Sequence, residues 1–310
     1  MSSSQCTTKI VLALLATVFF KTPALTADNL VLNFGVYTSD KPSEMYKQFR
    51  PILKYLENTA SRNLNNRTKI KLRIFKSYEG ATRALVDGTI DFVRFGPASY
   101  ILANERNPGV TILAAEMNKS KRTFQGVIFV HADSPLNTLA DLKGKSFAFG
   151  NEFSTIGRYL SQAELVRAGI FAGELEKYEY LDRHDRVATA VLHGKFDAGA
   201  AKESTFKQYG KKGLRALKTF DNITKPWVAR AELKAEVVEA LRAGLGTLSD
   251  KRVLGTLGKK LTGFDTDVND STYDFVRRGM KKSEEFFDTT TNSPAPKDGR
   301  KVADKPSRSD

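Results

Sequence analysis

The sequence predicts an α/β protein in which short buried strands alternate with amphipathic helices around a largely parallel sheet. Two observations support this prediction. Apolar runs of strand length alternate with segments of helical periodicity along most of the 310 residues. Three strand-to-helix junctions also carry small or hydroxyl residues, namely "KSYEG", "FGPAS" and "FSTIG". Open α/β sheets bind ligands beyond the carboxyl ends of their strands, so these junctions form the candidate site.

The elements of the N-terminal part follow in order. A strand at 30–36 ("LVLNFGV") precedes a helix at 44–59, and the alternating strand 69–75 ("KIKLRIF") precedes a helix that ends at Gly88. The strand "IDFVRFG" then leads to Pro97, and proline is favoured at the first position of a helix.

A second α/β unit begins near Gly126. Its predicted elements are the strand "GVIFVH", the short helix "LNTLADLKGK", the strand "SFAFG", a helix at 157–168, the strand "YEYL", a helix at 183–193 and the strand "FDAGA". From Pro226 the chain continues with the strand "PWVAR" and helices at 234–248 and 271–287.

The N-terminus has the pattern of a secretory signal. Lys9 precedes an apolar run at 10–20, and the small residues Ala24 and Ala27 follow. We therefore predict a cleaved signal peptide at 1–27 and a periplasmic mature protein. An uncleaved membrane anchor is the alternative, although an apolar run of this length is too short to span a bilayer. At the other end, the polar segment 287–310 is predicted to be a disordered tail.

Composition excludes several classes of protein. Cys6 is the only cysteine and precedes the predicted cleavage point, which excludes a thiol nucleophile and a cysteine metal site in the mature chain. The net charge of +14 comes from basic residues spread along the whole chain without a nucleic-acid-binding motif. Such a diffuse positive field attracts small anions. No catalytic or nucleotide-binding motif stands out, and the three histidines lack metal-ligand spacing. We expect no enzyme activity, no metal, no cofactor and no nucleic-acid partner.

The "FSTIG" turn allows two interpretations. Ser154 and Thr155 are residue types that cap a helix by accepting its first backbone N–H groups. The same N-terminus, followed closely by Gly157, also directs free N–H donors and a positive dipole end toward an anion.

Several segments together resemble the phosphonate, phosphite and phosphate type of substrate-binding component of ABC importers. They are "DFVRFGPASYILANE", "ADSPLNTLADLKGKSFAFG", "FSTIG", "HDRVATAVLHGKFDAGAA" and "KPWVAR", in the family's order over about 30–286. The resemblance implies a two-lobed periplasmic-binding-protein type II fold with two crossing strands. Lobe 1 would comprise 28–125 with 226–286, and lobe 2 would comprise 126–225.

The resemblance also implies which residues bind ligand. The positions that match the family's oxyanion-binding residues are Tyr78, Phe124, Ser154, Thr155, Ile156 and His184. Phe124 stands where the family has a tyrosine, and Ile156 stands where it has a serine, so two hydroxyls are lost.

The family's two ammonium-binding acidic positions also differ here. One falls at Ser204, beside Lys202 and Glu203, and the other falls at Lys225. A lysine in the cleft would oppose a cationic substituent on the ligand. Whether these four residues reach the cleft is left open by the alignment.

The function implied by the resemblance is capture of a small phosphorus oxyanion by a periplasmic monomer. Cleft closure would bury the ligand before its delivery to a membrane ABC permease. The alternative is a periplasmic ligand sensor whose closed form binds a membrane receptor such as a histidine kinase.

Overall fold

The computed structural model describes residues 29–38 and 42–288, which form two mixed β-sheets with helices packed against them. The strands are β1 (Leu30–Tyr37), β2 (Thr68–Phe75), β3 (Phe92–Arg94), β4 (Thr111–Asn118), β5 (Thr123–His131), β6 (Ser146–Phe149), β7 (Lys177–Tyr180), β8 (Ala198–Lys202), β9 (Leu214–Ile223), β10 (Pro226–Ala229) and β11 (Leu261–Asp265). The helices are α1 (Pro42–Asn63), α2 (Tyr78–Val86), α3 (Pro97–Arg106), α4 (Ser161–Arg167), α5 (His184–Leu192), α6 (Glu203–Gly210), α7 (Ala235–Thr247), α8 (Lys251–Leu257) and α9 (Asp274–Glu284). A π-helical turn at Thr155–Leu160 runs directly into α4.

The two sheets combine parallel and antiparallel strands. The six-stranded sheet has the order β11-β4-β10-β3-β1-β2, and the five-stranded sheet has the order β7-β6-β8-β5-β9. Strands β2, β1 and β3 are mutually parallel, as are β7, β6 and β8, whereas β4, β5, β9, β10 and β11 make antiparallel pairs. The α/β class is confirmed, but the prediction of a largely parallel sheet is wrong. In each sheet one antiparallel strand continues the parallel part, since β10 pairs with β3 and β5 pairs with β8.

Within the described residues the chain passes from one sheet to the other twice. It runs from β4 to β5 through 119–122 and returns from β9 to β10 through 224–225. The lobe boundaries remain a prediction. The end of the segment assigned to lobe 1 contacts the five-stranded sheet. Phe286 packs edge-on against Phe149 of the five-stranded sheet, with ring centroids 5.6 Å apart.

Each sheet has its own apolar core. In the six-stranded sheet the fully buried Trp227 stacks on Phe34, with ring centroids 4.8 Å apart. In the five-stranded sheet Phe147 and Phe149 are fully buried among the aliphatic side chains of neighbouring elements. Four buried apolar clusters among the described residues hold the strand ends of both sheets in place, and the candidate site lies at those ends.

The predicted signal peptide lies outside the described residues, as does the predicted tail beyond Asp288. Phe287, where the tail was predicted to begin, still belongs to a short 3₁₀ turn. None of the described helices has the length and apolar character needed to cross a membrane.

Candidate functional site

A cavity of about 40 Å³ lies where strand ends of the two sheets meet. All seven residues that the sequence pointed to line this cavity, namely Tyr78, Phe124, Ser154, Thr155, Ile156, His184 and Lys225. Nine further residues complete its wall, namely Val36, Tyr37, Met45, Phe49, Arg94, Gly96, Pro97, Lys202 and Asn222. The structure therefore brings the predicted residues together, while their roles toward a ligand remain a proposal.

Tyr78 reaches the cavity from the first turn of α2. The Ser77 Oγ accepts the Gly80 N–H at 3.0 Å, which fixes where the helix begins. The Tyr78 ring stacks on Tyr37, with ring centroids 3.7 Å apart. The Tyr37 hydroxyl accepts the Gly96 N–H at 2.6 Å, and burial raises the pKa of this phenol, which keeps it neutral. Sequence reasoning missed Tyr37; its only signal was its position at the carboxyl end of β1.

Ser154 caps the turn that it begins. Its Oγ accepts the Gly157 N–H at 3.0 Å, as the capping interpretation requires, and the same residue also lines the cavity. Gly157 is needed because a Cβ at this position would lie 2.9 Å from the Gly150 Cα. The glycine therefore allows the strand-to-turn junction to close tightly.

Thr155 connects the turn to the other sheet. Its Oγ1 accepts the Ala98 N–H at 2.9 Å, and both residues are buried. Ala98 lies in the first turn of α3, which follows β3 of the six-stranded sheet, and its N–H has no acceptor within its own helix. A hydroxyl that accepts one hydrogen bond still has its own hydrogen to donate. Thr155 can therefore hold the two halves of the site together and also donate into the cavity.

Basic residues come to the cavity from three elements of the five-stranded half. His184 is the buried first residue of α5, Lys202 is the last residue of β8, and Lys225 follows β9. The Lys225 Nζ lies 5.7 Å from the centroid of the Phe124 ring, within range of a cation–π contact. Each is a potential donor to an anion from a different side.

Arg94 adds a guanidinium whose charge is already balanced. It makes a bidentate ion pair with Glu116, in which Arg94 Nη2 lies 2.9 Å from Oε2, and the Trp227 Nε1–H donates to Glu116 Oε1 at 3.3 Å. This network joins β3, β10 and β4 across one face of the sheet. Removing one partner of such a buried pair would leave an uncompensated charge, so we interpret Arg94 mainly as part of the wall.

Glu203 stands beside the position where the family can carry an acidic residue, but it lies outside the cavity lining. Its carboxylate instead binds the Lys207 and Lys260 ammonium groups, each at 2.5 Å. Burial alone would raise the pKa of Glu203, but the two lysines outweigh it and hold the pKa below its ordinary value. Ser204 is exposed and is not among the cavity-lining residues either. Among the described residues, none that lines the cavity is a carboxylate.

Comparisons with known proteins agree with this geometry. A family model described as "ABC transporter, phosphonate, periplasmic substrate-binding protein" matches residues 34–273. The phosphate-import protein PhnD of Mycolicibacterium smegmatis is 24% identical over 180 residues, which cover 55% of this chain and 54% of that protein. This chain thus spans about half the length of that relative. The probable ABC transporter phosphite-binding protein PhnD1 of Prochlorococcus marinus is 25% identical over 223 residues, which cover 66% of this chain and 71% of the relative.

A solved structure shows the same fold. PhnD1 from Prochlorococcus marinus, in complex with methylphosphonate, matches with a TM-score of 0.71 at 22% identity, covering 82% of this chain and 98% of that one. The similarity confirms a two-lobed periplasmic-binding-protein type II fold with two crossing strands. Together with the extent of the family match, it places the chain in the family of periplasmic substrate-binding proteins of phosphonate ABC transporters.

Proposed function

We propose that this protein captures a small phosphorus oxyanion in the periplasm and delivers it to a membrane ABC permease. The observation that carries the proposal is the lining of the cavity. Hydroxyl, imidazole and ammonium groups surround it, and no carboxylate lines it among the described residues. A lining that offers hydrogen-bond donors and no negatively charged side chain suits an anion. The relatives support the phosphorus class, since one is named for phosphate and another for phosphite.

The size of the cavity favours a small ligand. A water-sized group needs roughly 10–15 Å³, so a cavity of about 40 Å³ holds about three such groups. That suits a phosphite, a phosphate or a phosphonate with a short substituent. The proposed ligand contacts are Tyr78, Phe124, Ser154, Thr155, Ile156, His184 and Lys225.

Two contacts support a mechanism of cleft closure. The Thr155 hydroxyl holds the N-terminus of α3 at 2.9 Å, and Lys260, next to β11, pairs with Glu203 of α6 at 2.5 Å. Both contacts join elements of the two different sheets. Closure around the anion would replace its hydration shell with fixed donors, and the permease would recognise the closed form. The relatives are named as import or binding proteins of transporters, which favours transport over the sensor alternative.

Lys225 sets the expected charge preference. Its side chain lines a cavity that has no carboxylate to hold an ammonium among the described residues. An ammonium about 4 Å from Lys225 would be repelled by about 4 kcal/mol at an effective dielectric constant near 20. We therefore propose that methylphosphonate, phosphite and phosphate bind in preference to aminoethylphosphonate.

Calorimetric titration of the purified protein with these four anions at fixed salt tests the proposal. Wild type should bind at least one of the first three more tightly than aminoethylphosphonate. Lys225→Asp should weaken binding of these anions and improve the relative affinity for aminoethylphosphonate. Lys218→Asp makes the same charge change at an exposed position of β9 outside the cavity, and it should leave the preference unchanged. Wild-type preference for aminoethylphosphonate would refute the role of Lys225, and binding of none of the four would refute the proposed function.

A further inference from the structure

Asn222 is a buried polar residue of the cavity wall that no sequence pattern pointed to. It lies near the carboxyl end of β9, is 1% exposed, and lines the cavity. Its side-chain carboxamide therefore lies in the proposed binding site, away from solvent.

The Asn222 carboxamide has no hydrogen-bond partner among the described residues. Neither its Nδ2 nor its Oδ1 makes such a bond, although both atoms are buried. Because both atoms are without partners, this statement holds for either orientation of the amide. Burying an amide without partners is unfavourable, so a group that supplies them is expected at this position.

The position of Asn222 in the sheet relates it to a lost hydroxyl. In the antiparallel pair of β5 and β9, Asn222 is directly opposite Phe124. Residues directly opposite each other in such a pair present their side chains on the same face of the sheet. The family resemblance implies a tyrosine where Phe124 stands, so Asn222 places a polar group beside the position where that hydroxyl is missing.

We propose that Asn222 recognises an O–H group on the bound oxyanion, so that the protein selects anions that carry such a donor over fully ionised ones. This inference rests on the proposed function. The amide has two N–H donors and one oxygen acceptor. Of the atoms that a ligand offers, oxyanion oxygens can satisfy the donors, whereas Oδ1 needs an O–H hydrogen. A singly protonated phosphonate, phosphite or phosphate has that hydrogen, whereas a sulfonate or sulfate near neutral pH does not.

The same reasoning predicts rejection of the fully ionised anion. With a sulfonate bound, the Asn222 Oδ1 would remain buried without a partner or would face a ligand oxygen of like partial charge. Sites built to bind a substrate hydroxyl discriminate strongly against analogues that lack it, because the buried polar group of the protein is then unsatisfied.

The test compares methylphosphonate with methanesulfonate, which have the same methyl group and the same tetrahedral centre. Calorimetric titrations are made at fixed salt, below the second ionisation of methylphosphonate. Wild type should prefer methylphosphonate. Asn222→Leu should reduce the affinity for methylphosphonate by roughly tenfold to a hundredfold, the range expected for hydrogen bonds with a charged partner. Its affinity for methanesulfonate should change much less.

Thr224→Val is the matched control. Thr224 is also 1% exposed, and its Oγ1 has no hydrogen-bond partner among the described residues, but it does not line the cavity. Both substitutions remove a buried polar group without a partner, so both should leave the melting temperature of the ligand-free protein unchanged or higher. Only Asn222→Leu should change the ratio of the two affinities.

A pH series on wild type provides a second measurement that does not depend on a variant. The preference for methylphosphonate should fall as this ligand loses its second proton. The ionisable residues that line the same cavity are His184, Lys202, Lys225, Arg94, Tyr37 and Tyr78. Methanesulfonate, whose charge does not change over this pH range, serves as the reference for their effect on anion binding.

Two results would overturn the inference and leave the proposed function intact. One is an Asn222→Leu variant that keeps the wild-type ratio of affinities for methylphosphonate and methanesulfonate. The other is a wild-type preference for methylphosphonate that rises as this ligand loses its second proton. If wild type binds none of methylphosphonate, phosphite, phosphate and aminoethylphosphonate, the proposed function fails, and the inference fails with it.

Discussion

Thr155→Val removes the hydroxyl that joins the two halves of the site while keeping the volume of the side chain. In the structure this hydroxyl accepts the Ala98 N–H at 2.9 Å. Valine offers no acceptor, and Ala98 is fully buried, so water cannot readily replace the lost bond. The backbone donor at the start of α3 would then be left without a partner.

The magnitude follows from the cost of an unsatisfied buried donor, which is about 1–3 kcal/mol. We expect the free energy of unfolding of the ligand-free protein to fall by that amount. For a chain of this size, each kcal/mol corresponds to a decrease of about 2–4 °C in Tm. Ser154→Ala is the comparison, because Ser154 caps its own turn and its loss should cost about 1 kcal/mol.

Urea unfolding followed by circular dichroism measures both variants, and calorimetric titration with methylphosphonate measures the effect on binding. Thr155→Val should weaken binding as well as stability, because the hydroxyl lies in the cavity wall and joins the two halves of the site. An unfolding free energy within about 0.5 kcal/mol of wild type, the usual effect of a neutral substitution, would show that Ala98 does not depend on this hydroxyl.

Three further predictions follow from other contacts. Glu203→Gln should lower the free energy of unfolding by about 0.2–1 kcal/mol near neutral pH, as measured by urea unfolding. The difference from wild type should vanish as the pH falls through the lowered pKa of Glu203, because a carboxylate stabilised in the folded state loses its contribution on protonation. Gly157→Ala should lower the free energy of unfolding by about 1–3 kcal/mol, because its Cβ would lie 2.9 Å from the Gly150 Cα. Gly255→Ala is the control and should be neutral or stabilising, because no atom lies within 4 Å of its added Cβ. Equal effects of the two variants in urea unfolding would contradict this prediction. Mass spectrometry of the exported protein should find an N-terminus near Asp28, and an intact N-terminal methionine would exclude cleavage of the predicted signal.

The candidate site was largely predictable because its chemistry lies at strand ends. Tyr78, Ser154 and His184 each stand at the start of a helix or turn that follows a strand, and such junctions are visible in a single sequence as a change of periodicity with hydroxyl or small residues. The ends of neighbouring parallel strands meet at one edge of a sheet, so Ser154 after β6 and His184 after β7 could be expected together. Tyr78 follows β2 of the other sheet, and its place beside them was implied by the family resemblance.

Several strands were missed because their sequences do not have a clear strand pattern. β4 ("TILAAEMN") contains two alanines and a glutamate, and β9 ("LRALKTFDNI") mixes charged and apolar residues irregularly. Both are the strands from which the chain passes to the other sheet. Their conformation is stabilised by antiparallel partners distant in sequence, and local propensity alone does not specify it. The mixed character of the sheets was missed for the same reason.

The sequence by itself determined the α/β class, the family, and seven residues that line the cavity, because these depend on local periodicity and on motifs in a recognisable order. Only the tertiary structure decided which groups face one another across the cavity. In the structure the Thr155 hydroxyl accepts a hydrogen bond from the N-terminus of α3, Arg94 is paired with Glu116, and Glu203 is paired with Lys260 outside the cavity. The structure also leaves the Asn222 carboxamide buried in the cavity wall without a partner among the described residues. Hydrogen bonds and ion pairs of this kind require atoms to come within about 3–4 Å, and residues widely separated along the chain reach that distance only when strands pair and the two sheets pack against each other.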